Sequence, residues 1–207
     1  MEIAVEKASE ADRELIAWAM LESSRAGKKI GIFDLIFETN DDAVLLERLA
    51  ALSTTQTKSY CHLSNFLVAS GMQKHAGVLC GYEPRIATQE IFSKALAELG
   101  VGADYTERIA TYLLVEPAID RQTWMLDFMM VKPGCEPLPV FAALLKKSLL
   151  TARLKGYRKA QTMVEIGSVD TELLYEKLGF EVIDEKRSEL YAEQFGRPGI
   201  KRLQMVL

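Results

Sequence analysis

The sequence predicts an α/β fold in which strands are covered by helices, and three observations predict it. Short apolar runs of strand length alternate with segments of helical period along the whole chain. The 207 residues, 49% of them hydrophobic and 26% charged, are enough to bury a core without disulfides or a structural metal. No internal repeat, low-complexity tract or linker divides the chain, so residues 1–207 read as a single domain.

Ile3 to Val5 reads as a short strand. Ser9, with Asp12 three residues on, forms a capping-box pattern for the helix that follows. Leu15, Trp18, Ala19 and Glu22 share one face of that helix, widened by Ile16 and Met20. Lys28 to Asn40 is mixed, with Gly27 and Gly31 breaking its regularity. Asp41 and Asp42 then precede a helix over Ala43 to Leu52, and Ser53 to Lys58 is a polar loop. Asn65 to Ser70 and His75 to Tyr82 read as paired strands joined through Gly71 to Lys74. Helical spacing returns at Ile86, Ile91, Phe92, Ala95, Leu96 and Leu99, stops at Gly100 and resumes from Tyr105 to Val115. Trp124 to Val131 is an apolar strand carrying one acid, Asp127. A helix from Val140 to Arg153 ends at Gly156. Ala160 to Ile166 is a strand, and Asp170 caps a short helix through Lys177 that Gly179 closes. Phe180 to Asp184 and Arg202 to Val206 complete the sheet.

Charge narrows the function classes. A net charge of -4 gives no basic surface for nucleic acid or an anionic membrane, and favours a cationic partner slightly over an anionic one. Cys61, Cys80 and Cys135, odd in number and irregularly spaced, make neither a disulfide framework nor a metal site. His62 and His75 stand alone near strand ends and read as surface or capping residues, so no metal is expected. The acidic start has no apolar run of signal-peptide kind, and no segment approaches the roughly 18 apolar residues of a membrane span; cytoplasmic residence is the expectation.

Two stretches carry candidate chemistry. Val131 to Leu145 is a strand feeding a helix through a tight loop, an arrangement that offers backbone N–H groups to an anion. Ser168 to Phe180 (SVDTELLYEKLGF) is the more specific. Together they resemble the cofactor-binding core of the GNAT N-acetyltransferases. That family has Val-x-Pro, then R-G-x-G-x-G, then a helix with paired leucines; Val131, Pro133, Val140, Leu144 and Leu145 fall in register with it. It also has N-x-x-A-x-x-L-Y-x-K-x-G-F, matched here at Leu174, Tyr175, Lys177, Gly179 and Phe180, with Ser168 at the asparagine and Thr171 at the alanine. The centre of the first motif departs: Glu136 stands at the arginine, and Pro137, Pro139 and Phe141 stand at the glycines. Proline has no N–H to donate and phenylalanine blocks close backbone approach, while Glu136 and Pro137 also suit a helix start in their own right.

The resemblance implies a mixed, mostly antiparallel sheet flanked by helices, splayed between the Trp124–Val131 and Ala160–Ile166 strands. It implies acetyl-CoA (acyl-CoA) as cofactor, with affinity reduced by Glu136, Pro137, Pro139 and Phe141. The cofactor would contact Met129, Met130, Val131, Leu138, Val140, Phe141, Ala142, Ser168 and Tyr175, and the backbone of Met129 to Val131 would pair with the pantetheine arm. Tyr175, protonated at neutral pH, would donate to the departing thiolate, or else is a packed helix tyrosine. Asp127 would be the base for an amine acceptor, or else a carboxylate paired with a lysine or arginine. Alternation places it on the face opposite Leu126 and Phe128, together with Met125 and Met129. Lys132 and Lys146 are candidate phosphate partners, Tyr60 and Asn65 candidate borders of the acceptor pocket. The three methionines Met125, Met129 and Met130 read as core or as an apolar tunnel, and Cys135 as an unreactive thiol in the loop. A helical insertion at about 84–122 is expected to cover the acceptor side or to form a homodimer contact. The expected function is acyl transfer to a small-molecule or protein amine; the alternative is a catalytically silent domain of the same fold that binds a ligand or protein.

Overall fold

The computed structural model describes residues 3–71 and 75–207. β1 (Ala4–Lys7) leads through a 3-10 turn into α1 (Arg13–Arg25). At that turn the Asp12 carboxylate accepts from both the backbone N–H and the hydroxyl of Ser9, each at 2.8 Å. α2 (Ile32–Ile36) occupies the mixed segment, and α3 (Asp42–Leu52) starts at Asp41, whose carboxylate accepts from the N–H groups of Ala43 and Val44. β2 (Phe66–Ser70) and β3 (Gly77–Tyr82) follow; of the expected join between them, Met72 to Lys74 lie outside the described residues. Then come α4 (Gln89–Ala97), α5 (Tyr105–Arg108), α6 (Ala110–Val115), β4 (Thr123–Val131), α7 (Pro137–Leu154), β5 (Lys159–Glu165) and α8 (Val169–Lys177). β6 (Glu181–Arg187), α9 (Glu189–Phe195) and β7 (Gly199–Val206) complete the chain.

The strands form one sheet in the order β1-β2-β3-β4-β5-β7-β6, and all neighbours run antiparallel except β4 and β5. One face carries α1, α3 and α4, which pack Leu15, Ile16, Leu49 and Phe92 against Phe66, Val78 and Met125. The other carries α7 and α8, which pack Leu144, Leu145 and Tyr175 against Leu79, Leu126 and Leu203. The indole of Trp124 ties the sheet to α7 by donating to the Ser148 hydroxyl at 3.0 Å, a buried bond.

Several elements differ from the sequence expectation, each for a local reason. α7 begins at Pro137 rather than Val140, because a proline at the first helical position gives up no intrahelical bond. Ser168, not Asp170, is the residue that precedes α8. The helix expected over Tyr105 to Val115 breaks at Ile109, whose ψ of 14° leaves the helical region. α9 was not expected at all. Its seven residues are too few to show a period, although Ser188 accepts from the Tyr191 N–H at 3.4 Å and Gly196 ends the helix in the left-handed region.

The most consequential departure lies in β4. The register with β3 shifts between Val78 and Cys80, so that two residues of β4 oppose Leu79, and Phe128 takes a φ of +48°. This is a β-bulge, and it breaks the alternation expected for the strand. Phe128 therefore packs on the α1 face with Met125, and Met129 turns to the α7 face, the reverse of the expected placement.

Gly77 sets how closely α7 approaches this region. A Cβ there would lie 2.8 Å from the Met130 carbonyl oxygen and 2.8 Å from Val140 Cγ1. Gly77→Ala is expected to force β4 and α7 apart at a cost of about 1–3 kcal/mol. Thermal denaturation reads this directly, and an unchanged midpoint would show that the two elements separate without cost.

Candidate active site

β4 and β5 are hydrogen-bonded neighbours only from Thr123↔Lys159 to Met125↔Gln161. Beyond that, where the bulge lies, the edge of β4 from Leu126 to Val131 has no strand partner on the β5 side among the described residues. A cavity of about 840 Å³ occupies the opening. Such a split exposes backbone donors and acceptors to an extended ligand, the geometry of strand addition.

Tyr175 lines this cavity from α8 and is 5% exposed. Its ring packs edge-on to Phe180 at 5.3 Å, and its hydroxyl accepts from the Thr162 hydroxyl of β5 at a long 3.4 Å. Burial pushes its pKa up to about 12, with the nearby Asp127 charge adding to the rise. The phenol therefore stays protonated through the working pH range.

Asp127 enters the cavity from the other side of the sheet. The bulge aims it: its carboxylate accepts from the N–H of Phe128 at 2.8 Å, which fixes the side chain against its own backbone. Its surface is only partly covered because it faces the cavity, yet it sits deep below the protein exterior. That depth dominates, and burial raises its pKa to about 6, with Glu116 adding to the rise and the Phe128 N–H opposing it. No lysine or arginine pairs with it among the described residues.

The rest of this chamber is aromatic and acidic. Tyr60 stacks on Phe128 at 6.1 Å and meets Phe92 at 5.1 Å. α4, α5 and α6 bring Phe92, Tyr105, Tyr112 and Glu116, residues of the 84–122 segment, to the lining of this side of the cavity. Burial raises the Glu116 pKa, opposed by Lys186. At the far wall Glu165 accepts from the Tyr191 hydroxyl at 2.5 Å and pairs with Lys28, whose ammonium also lies 5.4 Å from the Phe195 ring centre. Burial pulls the Lys28 pKa down, and the Glu165 charge opposes that. Glu116, Tyr112 and Thr162 were not singled out from the sequence. Only the position of the insertion pointed to the first two, and nothing local pointed to Thr162.

The cavity also brings together Met129, Met130, Val131, Leu138, Phe141 and Ser168. Val140 and Ala142 stand apart from it: Val140 is packed in the core beside Gly77, and Ala142 lies on the exposed side of α7. Tyr60 lines the cavity, whereas Asn65 lies outside it and donates to the carbonyls of Ser59 and Tyr60, shaping that loop. Lys132 is turned away onto the Trp18 ring at 3.9 Å, and Lys146 is exposed outside the cavity. His62 caps a 3-10 turn by accepting from the Ser64 N–H, and His75 Nε2 lies 3.2 Å from Asp12. No group of three or more His, Cys, Asp or Glu placed to hold a metal occurs among the described residues, and no described helix is long and apolar enough to cross a membrane.

The residues fit the two ends of an acyl-CoA unequally. The open edge of β4 with the apolar side chains of Met129, Val131, Leu138 and Phe141 suits a pantetheine arm. The start of α7 suits a diphosphate poorly. Pro137 and Pro139 remove two of the N–H groups that a helix start normally leaves free, and Glu136 sits at the N-cap.

No protein-family profile matches the sequence, and no curated protein matches it. Solved structures do match over nearly the whole chain. An N-acetyltransferase from Staphylococcus aureus Mu50 superposes with a TM-score of 0.69 at 15% identity, covering 98% of this chain and 100% of its own. A structure described only as an acetyltransferase gives 0.68 at 17%, covering 98% of each chain. A GCN5-related N-acetyltransferase from Kribbella flavida gives 0.60 at 18%, covering 99% of this chain and 98% of its own. At such identities it is architecture that the likeness establishes: the chain has the GNAT N-acetyltransferase fold.

Proposed function

We propose that the chain is an acyl-CoA-dependent N-acyltransferase that moves an acetyl group to a primary amine. The supporting observation is that Tyr175 and Asp127, from opposite faces of the sheet, line one cavity where β4 and β5 part. Asp127 takes the proton from the amine, whose nitrogen then attacks the thioester carbonyl. A C–N bond forms as the C–S bond breaks, and Tyr175 gives its proton to the sulfur. The cavity supplies proximity by holding donor and acceptor together. A thiol-release assay with acetyl-CoA against a panel of amines tests this; no release with any amine, and no calorimetric heat with CoA, would sink it. A silent ligand-binding domain is favoured by one observation, the proline-rich start of α7. Calorimetry separates the two, because micromolar CoA binding is expected only of the enzyme.

The acceptor is a cationic amine with an apolar body. Glu116 and Asp127 face the chamber with Tyr60, Phe92 and Tyr112, a setting that favours an ammonium next to aromatic rings. Glu116→Gln is expected to raise the amine KM about tenfold with a smaller change in kcat. Steady-state kinetics with the best amine of the panel checks it, and an unmoved KM would exclude Glu116 from acceptor binding.

A further inference from the structure

We infer that the donor is held by its acylated pantetheine arm, and that its nucleotide diphosphate contributes little to binding. This rests on the cleft being the thioester site, and it goes beyond that reading by stating which half of the donor the protein reads. Three independent features carry it.

The first is the count of donors at α7. Residues Pro137, Leu138 and Pro139 form its first turn, and only Leu138 has an N–H to offer. The Glu136 side chain makes no capping bond, so its carboxylate stands exposed where an anion would approach. That charge already complements the helix dipole and repels a phosphate.

The second is the charge of the whole lining. Glu22, Glu116, Asp127 and Asp170 line the cavity with Glu165, which Lys28 already pairs, against Lys177 as the one lysine or arginine in that lining among the described residues. Lys132, the nearest basic residue in sequence to the loop, is engaged with the Trp18 ring at 3.9 Å. A ligand carrying several phosphate charges gains little here, since charge-assisted contacts to phosphate need cations or free N–H groups.

The third is the apolar wall. Leu138 is 44% exposed and lines the cavity at the helix start, where a phosphate would have to pass it. With Met129, Met130, Val131 and Phe141 it offers a surface matched to an alkyl-amide arm and not to a diphosphate.

Calorimetry with CoA, 3′-dephospho-CoA and pantetheine as titrants tests this without turnover. Pantetheine is expected to bind within about tenfold of CoA, the worth of a single phosphate hydrogen bond. Binding of CoA more than about tenfold tighter than pantetheine would overturn the inference alone. No binding of any of the three would overturn it together with the acyltransferase reading. Pro139→Ala restores one N–H to the first turn of α7. It is expected to tighten CoA by about tenfold and leave pantetheine unchanged. An equal gain for both, or no gain for CoA, would count against the missing N–H groups as the cause.

Discussion

Tyr175→Phe is expected to lower kcat by about a hundredfold or more, within the range that a general acid contributes, while CoA binding and thermal stability stay close to those of the parent chain. The substitution removes one oxygen and little else. The ring keeps its edge-on contact with Phe180 at 5.3 Å and its place in the core that α7 and α8 pack against the sheet. The bond that is lost, to Thr162 at 3.4 Å, is too long to hold the fold together. In that bond the Tyr175 hydroxyl is the acceptor, so its own proton is left to be given to a sulfur in the cleft. Its pKa of about 12 also makes a prediction about pH. Tyr175 stays protonated below that value, so no alkaline loss of activity between pH 7 and 10 arises from it. The measurement is kcat from thiol release, paired with calorimetry for CoA. Unchanged kcat would return Tyr175 to the role of a packed helix residue.

Much of this site was legible in the sequence, and the reasons for the rest are physical. Tyr175, Ser168 and Phe180 were singled out through the resemblance of SVDTELLYEKLGF to the family motif, a stretch that the nine-residue α8 carries between β5 and β6. The divergence of β4 and β5 was expected from the resemblance, not from any period in the strands themselves. Asp127 was visible as the single acid in an apolar strand, but its direction was not. A bulge adds one residue to one strand and reverses every later side chain, and nothing in WMLDFMMV marks Phe128 as the residue that takes a positive φ. Glu116 and Tyr112 were hidden for a different reason. They reach the chamber from an insertion whose helices are short and broken at Ile109, so their placement depends on tertiary packing against α9 and not on local pattern. The start of α7 was legible in chemistry and misjudged in extent: the prolines that weaken a phosphate cradle are the same residues that let the helix begin early.

Asp127→Asn separates function from stability in opposite directions, which is what makes it the sharper test of the two. The carboxyl has its pKa raised in the folded chain from 3.8 to about 6 by burial. Between those values the native state holds a proton that the unfolded chain has released. Native stability from this group is therefore fully present below pH 3.8, falls as pH rises, and is lost above about pH 6. Above pH 6 the ionised Asp127 is a cost to the fold of at most about 3 kcal/mol, and of order 1 kcal/mol once its exposure to cavity water is counted. Asparagine keeps the oxygen that accepts from the Phe128 N–H, so the bulge survives the change. The variant is expected to melt about 2–4 °C higher than the parent at pH 7.5 and at the same temperature near pH 4. Activity moves the other way. A base must be ionised, so kcat/KM of the parent rises with pH through a limb near 6; the variant loses that limb and about a hundredfold or more in kcat. A structural carboxylate would give the reverse pattern, with the variant less stable at neutral pH and its turnover unaltered. A buried charge held at a loss to the fold is what a group kept for chemistry is expected to show, and the melting and pH-rate measurements together decide whether Asp127 is one.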